Sequence, residues 1–290
     1  MAKDRWRELC TLVEEDDGLP TWEEAGNWTR DKLYFWYRYL EITTNAMVGH
    51  DRWRGGVVYV DLFAGAGVCT LKDSGERIPG SILIAANMRK PFTRIVGCEQ
   101  VDENANACRT RLARTQVAKR CHMLTGNCNE LISDIVSMIP AGSLTLAFVD
   151  PKGLDAKFAT IATLSQHRKV DLVVLFADAY DIPRNVEQHY RHDTNSKLDQ
   201  VLGPQSGWRV RLDQLSNPTG ANKRKLFREI YEEQLRRHLR YTHFRLKPIE
   251  CPRGLIYTLV YASRHKRGLE FWDKALGKEP SGQRTLPFPD

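Results

Sequence analysis

Four short apolar runs in this chain each end in a polar residue suited to chemistry, followed by small or constrained residues. Val58-Tyr-Val-Asp61-Leu-Phe63-Ala-Gly65-Ala-Gly67 closes on a carboxylate and then two spaced glycines. Glycines in a tight strand-to-helix turn let the backbone pass close beside a ligand, and the helix that follows turns its amides toward it. The third glycine of G-x-G-x-x-G is missing and no G-x-x-x-x-G-K-[ST] occurs, which argues against dinucleotide and NTPase phosphate loops. Ile95-Val-Gly-Cys-Glu99-Gln100 ends in a second carboxylate, where such a group can grip both hydroxyls of a ribose; plain exposure at a sheet edge explains Glu99 about as well. Thr125-Gly-Asn127-Cys128-Asn-Glu130 offers a short polar side chain to an adenine edge, or simply caps a helix. Phe148-Val-Asp150-Pro151-Lys152-Gly153 presents a rigidly held acceptor, able to take a hydrogen bond from an amino group and aim its lone pair at an electrophile. Asp-Pro-x-Gly is equally a turn sequence. Beyond a fifth run stands Asp178-Ala-Tyr180-Asp-Ile-Pro-Arg184, with Tyr180 either a stacking platform for a base or a cover for the sheet edge.

The elements that must hold these residues alternate in type. The pattern predicts strands over 57–63, 93–99, 122–126, 144–150 and 170–177, with helices over 81–88, 101–116, 129–138 and about ten residues from Asp155. Such crossovers force a parallel sheet covered on both faces, with ligands outside the carboxyl ends of its strands. All the polar tips would then share one crevice. After Asp178 the chain turns polar, with Gly203, Pro204, Gly207 and Pro218 marking loops, before a helix over 223–239. Residues 242–249 and 255–263 read as an antiparallel pair that brings the sheet to seven strands. An aromatic amphipathic helix over 28–47 packs as a cap. The expected organisation is a helical cap (1–54), a cofactor-binding Rossmann-like core (55–183), and a basic helical insertion with terminal strands completing the same sheet (184–290).

Composition bounds the alternatives. With 42% apolar and 27% charged residues in 290, disorder, collagen and coiled coil are excluded. No apolar run approaches the roughly 20 residues of a membrane span, and the first ten residues lack a signal-peptide core, so a soluble cytoplasmic protein without a membrane partner is expected. The seven cysteines are scattered without a C-x-x-C pair, so neither a disulfide framework nor a metal site is expected. Residues 184–290 carry a formal charge of +9 and the first 183 carry −2. That asymmetry points to a polyanionic partner or to a solvated basic surface.

Taken together, the strand tips resemble a class I S-adenosylmethionine-dependent methyltransferase. The resemblance implies S-adenosyl-L-methionine as cofactor, with Asp61, Phe63, Gly65 and Gly67 in the cofactor loop, Glu99 and Gln100 at the ribose, and Asn127 and Cys128 near the adenine. Asp150 and Pro151 would open the amino-methyltransferase motif, with Lys152 and Tyr180 completing the acceptor side. Arg184, Lys223, Arg224, Lys225, Arg228, Arg264 and Lys266 would hold nucleic-acid phosphates. From Thr29-Arg-Asp-Lys-Leu through Asp61-Leu-Phe-Ala-Gly, Gly80-Ser81, Gly126-Asn-Cys-Asn-Glu, Asp150-Pro-Lys-Gly and Ala262-Ser-Arg-His, most of the chain is similar to the three-Cys-motif partner proteins. That bacterial and phage-associated family implies a protein partner. Adenine and cytosine amino-methyltransferases usually show Asp/Asn-Pro-Pro-aromatic, and here Lys152 and Gly153 replace the last two residues. Asp-Pro-x-Gly is more similar to the tRNA guanine-N2 dimethyltransferases, whereas cytosine C5 chemistry lacks its Pro-Cys step. Three expectations follow: methyl transfer to an amino group of a nucleic-acid base, an inactive module binding nucleic acid or a partner protein, or a small-molecule methyltransferase.

Overall fold

Every residue of Val57–Asp61 (β1) is buried, as an apolar run must be when helices cover both faces of its sheet. The computed structural model describes residues 5–166, 168–179, 181–252 and 254–278. Arg94–Glu99 (β2), Cys121–Thr125 (β3), Leu144–Val149 (β4) and Lys169–Phe176 (β5) run parallel to β1. His243–Cys251 (β6) and Gly254–Ser263 (β7) form a hairpin, and β7 pairs antiparallel with β5. The sheet order is β3-β2-β1-β4-β5-β7-β6, so the order reverses between β1 and β4. At such a switch point the loops diverge and leave a crevice beyond the strand ends.

The covering helices are Trp28–Met47 (α1), Ser81–Ala86 (α2), Asp102–Ala113 (α3), Cys128–Ser137 (α4), Phe158–Ser165 (α5), Gly220–Leu239 (α6) and Lys266–Leu276 (α7). The 20 residues of α1 bury eleven side chains. Trp36 stacks on Phe148 of β4 at 4.7 Å and donates its indole N–H to the Tyr59 hydroxyl at 3.1 Å. One turn further on, the Tyr39 hydroxyl donates to Asp171 at 2.8 Å. The expected cap is therefore a full packing layer on the sheet. Truncating Trp36 to Ala is worth about 3–5 kcal/mol on the usual scale for buried aromatics.

Two parts of the pattern differ from expectation. No helix follows Gly67 directly: Val68–Leu71 and Arg77–Pro79 form an antiparallel hairpin, joined edge-on by the parallel strand Trp22–Ala25. This detour is closed where the Gly80 amide donates to the Gly67 carbonyl at 2.8 Å, and only then does α2 begin. Gly80 has no alternative there, since a Cβ would lie 2.9 Å from the Gly67 oxygen. The polar tail is also more helical than its loop residues predict. Lys197–Leu202, Trp208–Asp213 and α7 each bury a short apolar face, and Trp272 of α7 stacks on Tyr261 at 5.2 Å.

Candidate cofactor and acceptor site

At the carboxyl end of β1, Asp61 is wholly buried. Its Oδ2 accepts from the Tyr59 hydroxyl at 2.8 Å and the Ser81 hydroxyl at 2.6 Å, while Oδ1 accepts from the Phe63 amide at 3.3 Å. Burial pushes the carboxyl up to about 6, with the two hydroxyls opposing and the nearby Asp150 charge adding to the rise. Asp61 thus braces the loop from beneath, between β1 and the start of α2. Phe63 packs half-buried against the core.

Gly65 and Gly67 hold φ of 58° and 84°, the left-handed region that favours glycine. A Cβ on Gly65 would meet nothing within 4 Å, so the backbone there faces open space. Beside it, Glu99 ends β2. Its Oε2 accepts from the Gly65 amide at 3.0 Å and its Oε1 from the Val101 amide at 2.9 Å. A carboxylate oxygen has two acceptor positions, so each retains one, which suits a pair of neighbouring hydroxyls. Gln100 is exposed next to it. Beyond β3, Asn127 caps α4: its Oδ1 accepts from the Asn129 amide at 2.9 Å. Cys128 is buried, and that burial pushes its thiol up to about 12.

A buried cation, unforeseen in the sequence, supports the back of this loop. Arg111 of α3 is 4% exposed and donates to the Ala66 and Pro20 carbonyls at 2.7 Å, and to Asp17. The Arg111 guanidinium holds the Asp17 carboxyl well below its usual range. Residues 17–20 are thereby strapped to the glycine loop.

Across the crevice, Asp150 follows β4. Its Oδ2 is ion-paired with Lys32 of α1, and its Oδ1 accepts no hydrogen bond among the described residues. Burial works against the Lys32 charge, yet the Asp150 carboxylate more than offsets it and holds the ammonium above its usual range. Lys32 also lies 5.8 Å from the ring of Tyr257 on β7. That tyrosine hydroxyl is buried without a hydrogen-bond partner among the described residues. Pro151 is buried, and Lys152 lies over the Trp22 ring at 5.1 Å. Lys32 was legible in principle: at 3.6-residue spacing it falls in the buried stripe of Trp36, Tyr39 and Thr43, where a cation needs a partner.

The basic residues do not form the single flank their sequence clustering implied. Arg228 turns inward, 3.5 Å from Asp178, which is itself 0% exposed; burial raises the Asp178 carboxyl and Arg228 opposes that rise. Arg264 donates to the carbonyls of Ser165, Arg168 and Leu239, so it closes the carboxyl-terminal ends of α5 and α6. Each guanidinium thus ties elements of the fold together, in a role beyond the phosphate contacts the sequence suggested. Lys223 pairs with Glu187 at 2.6 Å, and Lys225 approaches Glu229 at 3.8 Å; with Arg224 they sit at the start of α6, on the crevice end. Arg184 is exposed in the short helix Asp181–Asn185, whereas Lys266 is exposed at the start of α7, at the opposite end of the sheet. Tyr180 lies outside the described residues. Among the described residues no group of three His, Cys, Asp or Glu is arranged to hold a metal ion, and no helix is long and apolar enough to cross a membrane.

The strand order with β7 antiparallel between β5 and β6 defines the Rossmann-like class I methyltransferase fold. No protein-family model matches the chain, and no curated protein sequence does. Among solved structures it is similar to a Legionella pneumophila protein at 13% identity, TM-score 0.49, covering 83% of this chain and 86% of that one. An O-methyltransferase from Bacillus cereus, solved in complex with SAH, is 13% identical with TM-score 0.47 and coverage of 91% and 92%. The O-methyltransferase TomG from Streptomyces achromogenes, solved with SAM, is 12% identical with TM-score 0.42 and coverage of 91% and 100%. At these identities and scores the likeness says nothing about substrate, and the fold rests on the strand order.

Proposed function

We propose that the chain is an S-adenosylmethionine-dependent methyltransferase acting on an amino group of a nucleic-acid base. The observation that carries this is the Glu99 carboxylate, fixed by the Gly65 and Val101 amides with one acceptor position left on each oxygen, beside the open face of Gly65. That cradle fits the ribose diol of the cofactor. When bound, S-adenosylmethionine supplies an electrophilic methyl group on a sulfonium. Asn127 and Cys128 stand at the end of β3, on the adenine side, and Asp61 keeps the loop stiff from below. Asp150 accepts one amino hydrogen through Oδ1 and aims the nitrogen lone pair along the line of attack, while Lys32 fixes the carboxylate through Oδ2. Positioning of this kind supplies much of the acceleration where a neutral nitrogen attacks a sulfonium carbon. Arg184, Lys223, Arg224 and Lys225, all at the crevice end, support a phosphate-bearing substrate. The motif likeness to the three-Cys-motif partner proteins adds a protein partner to the proposal.

A second reading, a binding module without transfer, is favoured by one observation: Lys32 already occupies half of the Asp150 carboxylate. Incubation with tritiated S-adenosylmethionine and separate pools of DNA, tRNA and ribosomal RNA decides between them, alongside calorimetric titration of the cofactor. Asp150→Ala is expected to abolish label transfer while cofactor affinity changes by less than about threefold. Transfer that survives the substitution removes Asp150 from the chemistry. Cofactor heat without transfer to any pool favours the module, and no heat overturns the cofactor reading itself.

A further inference from the structure

A groove of about 1310 Å³ opens beside α5, between α6 and the helices Lys197–Leu202 and Trp208–Asp213, and reaches the far end of the sheet at Lys169 and Arg240. Arg168, Lys169, Arg209, His238, Arg240 and Arg264 line it, against Asp199 as the one carboxylate among its lining residues. Asp199 is already ion-paired with Arg209 at 2.6 Å. Arg264 answers the carbonyls of two helix ends. Lys169 and Arg240 are exposed and their side chains carry no hydrogen bond or ion pair among the described residues, so their charge is uncompensated. The groove also gathers backbone strain. Gln205 and Arg240, at φ of 57° and 59°, are the two non-glycine residues with left-handed backbone among those described, and both line it. Arg240 occupies the position just past α6 where glycine is the usual residue, because left-handed backbone disfavours a side chain there. An arginine at left-handed backbone is a strained feature, and here it sets a cation at the groove.

We infer that this groove binds the phosphate backbone of a nucleic-acid strand. Its volume exceeds what a lone phosphate or a mononucleotide fills, since small-ligand sites usually span about 300–1,000 Å³. Its free cations come from separate elements, Lys169 at the start of β5 and Arg240 just past α6, while Arg168 donates to the Ile139 carbonyl at 2.9 Å. The groove runs along α5, from Phe158 and Ala159 at its start to Arg168 and Lys169 beyond its end. The groove makes no use of the cofactor site, so binding and methyl transfer can fail independently.

The test is fluorescence anisotropy of a labelled 20-nucleotide single strand, as DNA and as RNA, with the full chain and no cofactor at 50 to 200 mM salt. The Lys169→Glu/Arg240→Glu pair is expected to weaken binding at least about tenfold and to flatten the log–log salt slope by about 2. A control pair on another face, Arg89→Glu/Lys119→Glu, carries the same charge change and is expected to shift affinity by less than about threefold. Equal losses in both pairs, or none in the groove pair, overturn the inference. Inorganic phosphate that displaces the strand at millimolar concentration, where equal ionic strength from chloride does not, also overturns it in favour of a small-anion site. Arg240→Gly separates binding from folding: the backbone there suits glycine, so the variant is expected to melt no lower than the parent while losing affinity. Unchanged affinity in that variant counts against Arg240.

Discussion

Asp61 illustrates how much one residue's surroundings can set its behaviour. Its carboxyl is raised from the ordinary 3.8 to about 6 by burial. A raised folded-state value means the folded protein holds the proton more tightly than the unfolded chain. The stabilising contribution is therefore complete below about pH 4 and lost as pH rises through 6, on the order of 3 kcal/mol for a shift of about two units. Asp61→Asn is expected to remove this slope: urea midpoints of parent and variant, followed from pH 4 to 7, should differ by an amount that changes steadily across that window. A constant difference would show that the carboxyl titrates normally. Asp61, Glu99 and Asp150 were legible as strand-end polar residues because the apolar runs before them are unambiguous. Lys32 and Arg111 were harder, since each is a long cation in a buried stripe and its partner is fixed only by tertiary packing. Lys32 meets Asp150 across 118 residues of chain, and Arg111 meets Asp17 across 94.

Among the elements, the detour over 68–79 carries the sharpest consequence for the glycines around it. Gly80→Ala places a methyl against the Gly67 carbonyl, which is backbone and cannot swing away. A loss of about 1–3 kcal/mol is expected in urea unfolding, with cofactor affinity falling as the loop shifts. Gly65→Ala behaves differently. Left-handed backbone costs it only about 1–2 kcal/mol, but the new methyl enters the open space beside Glu99. Cofactor titration is expected to show at least about tenfold weaker binding there; unchanged affinity would mean that the open face of Gly65 is not where the ligand lies. The detour itself was not foreseen because Val68 to Leu71 is too short a run to stand out, and the strand it pairs with, Trp22–Ala25, lies far back in the chain. The five parallel strands and the terminal hairpin were foreseen to within one or two residues, because strands buried on both faces leave nearly continuous apolar runs.

Over the whole molecule the excess positive charge is split between two ends. The crevice end has Arg184 and the first turns of α6, and the far end has the groove with Lys169 and Arg240. Sequence clustering could not show this, since α6 alone runs about 30 Å and carries neighbouring charges to opposite ends. Arg264 belongs to neither set. Arg264→Ala is expected to lose about 3 kcal/mol in urea unfolding, because two helix ends lose a charged donor, while anisotropy with the labelled strand changes far less than for the groove pair. One feature of the sheet also bears on how the chain is made. β7 lies inside the sheet, between β5 and β6, and α7 then packs against α1, with Trp272 edge-on to Tyr39 at 5.5 Å. A nascent chain leaving the ribosome therefore holds β5 with one unpaired edge, and α1 without its neighbour, until β7 and α7 have been translated. Emerging domains with open strand edges are prone to mispair, so premature stops anywhere before α7 should yield aggregates rather than a smaller working protein.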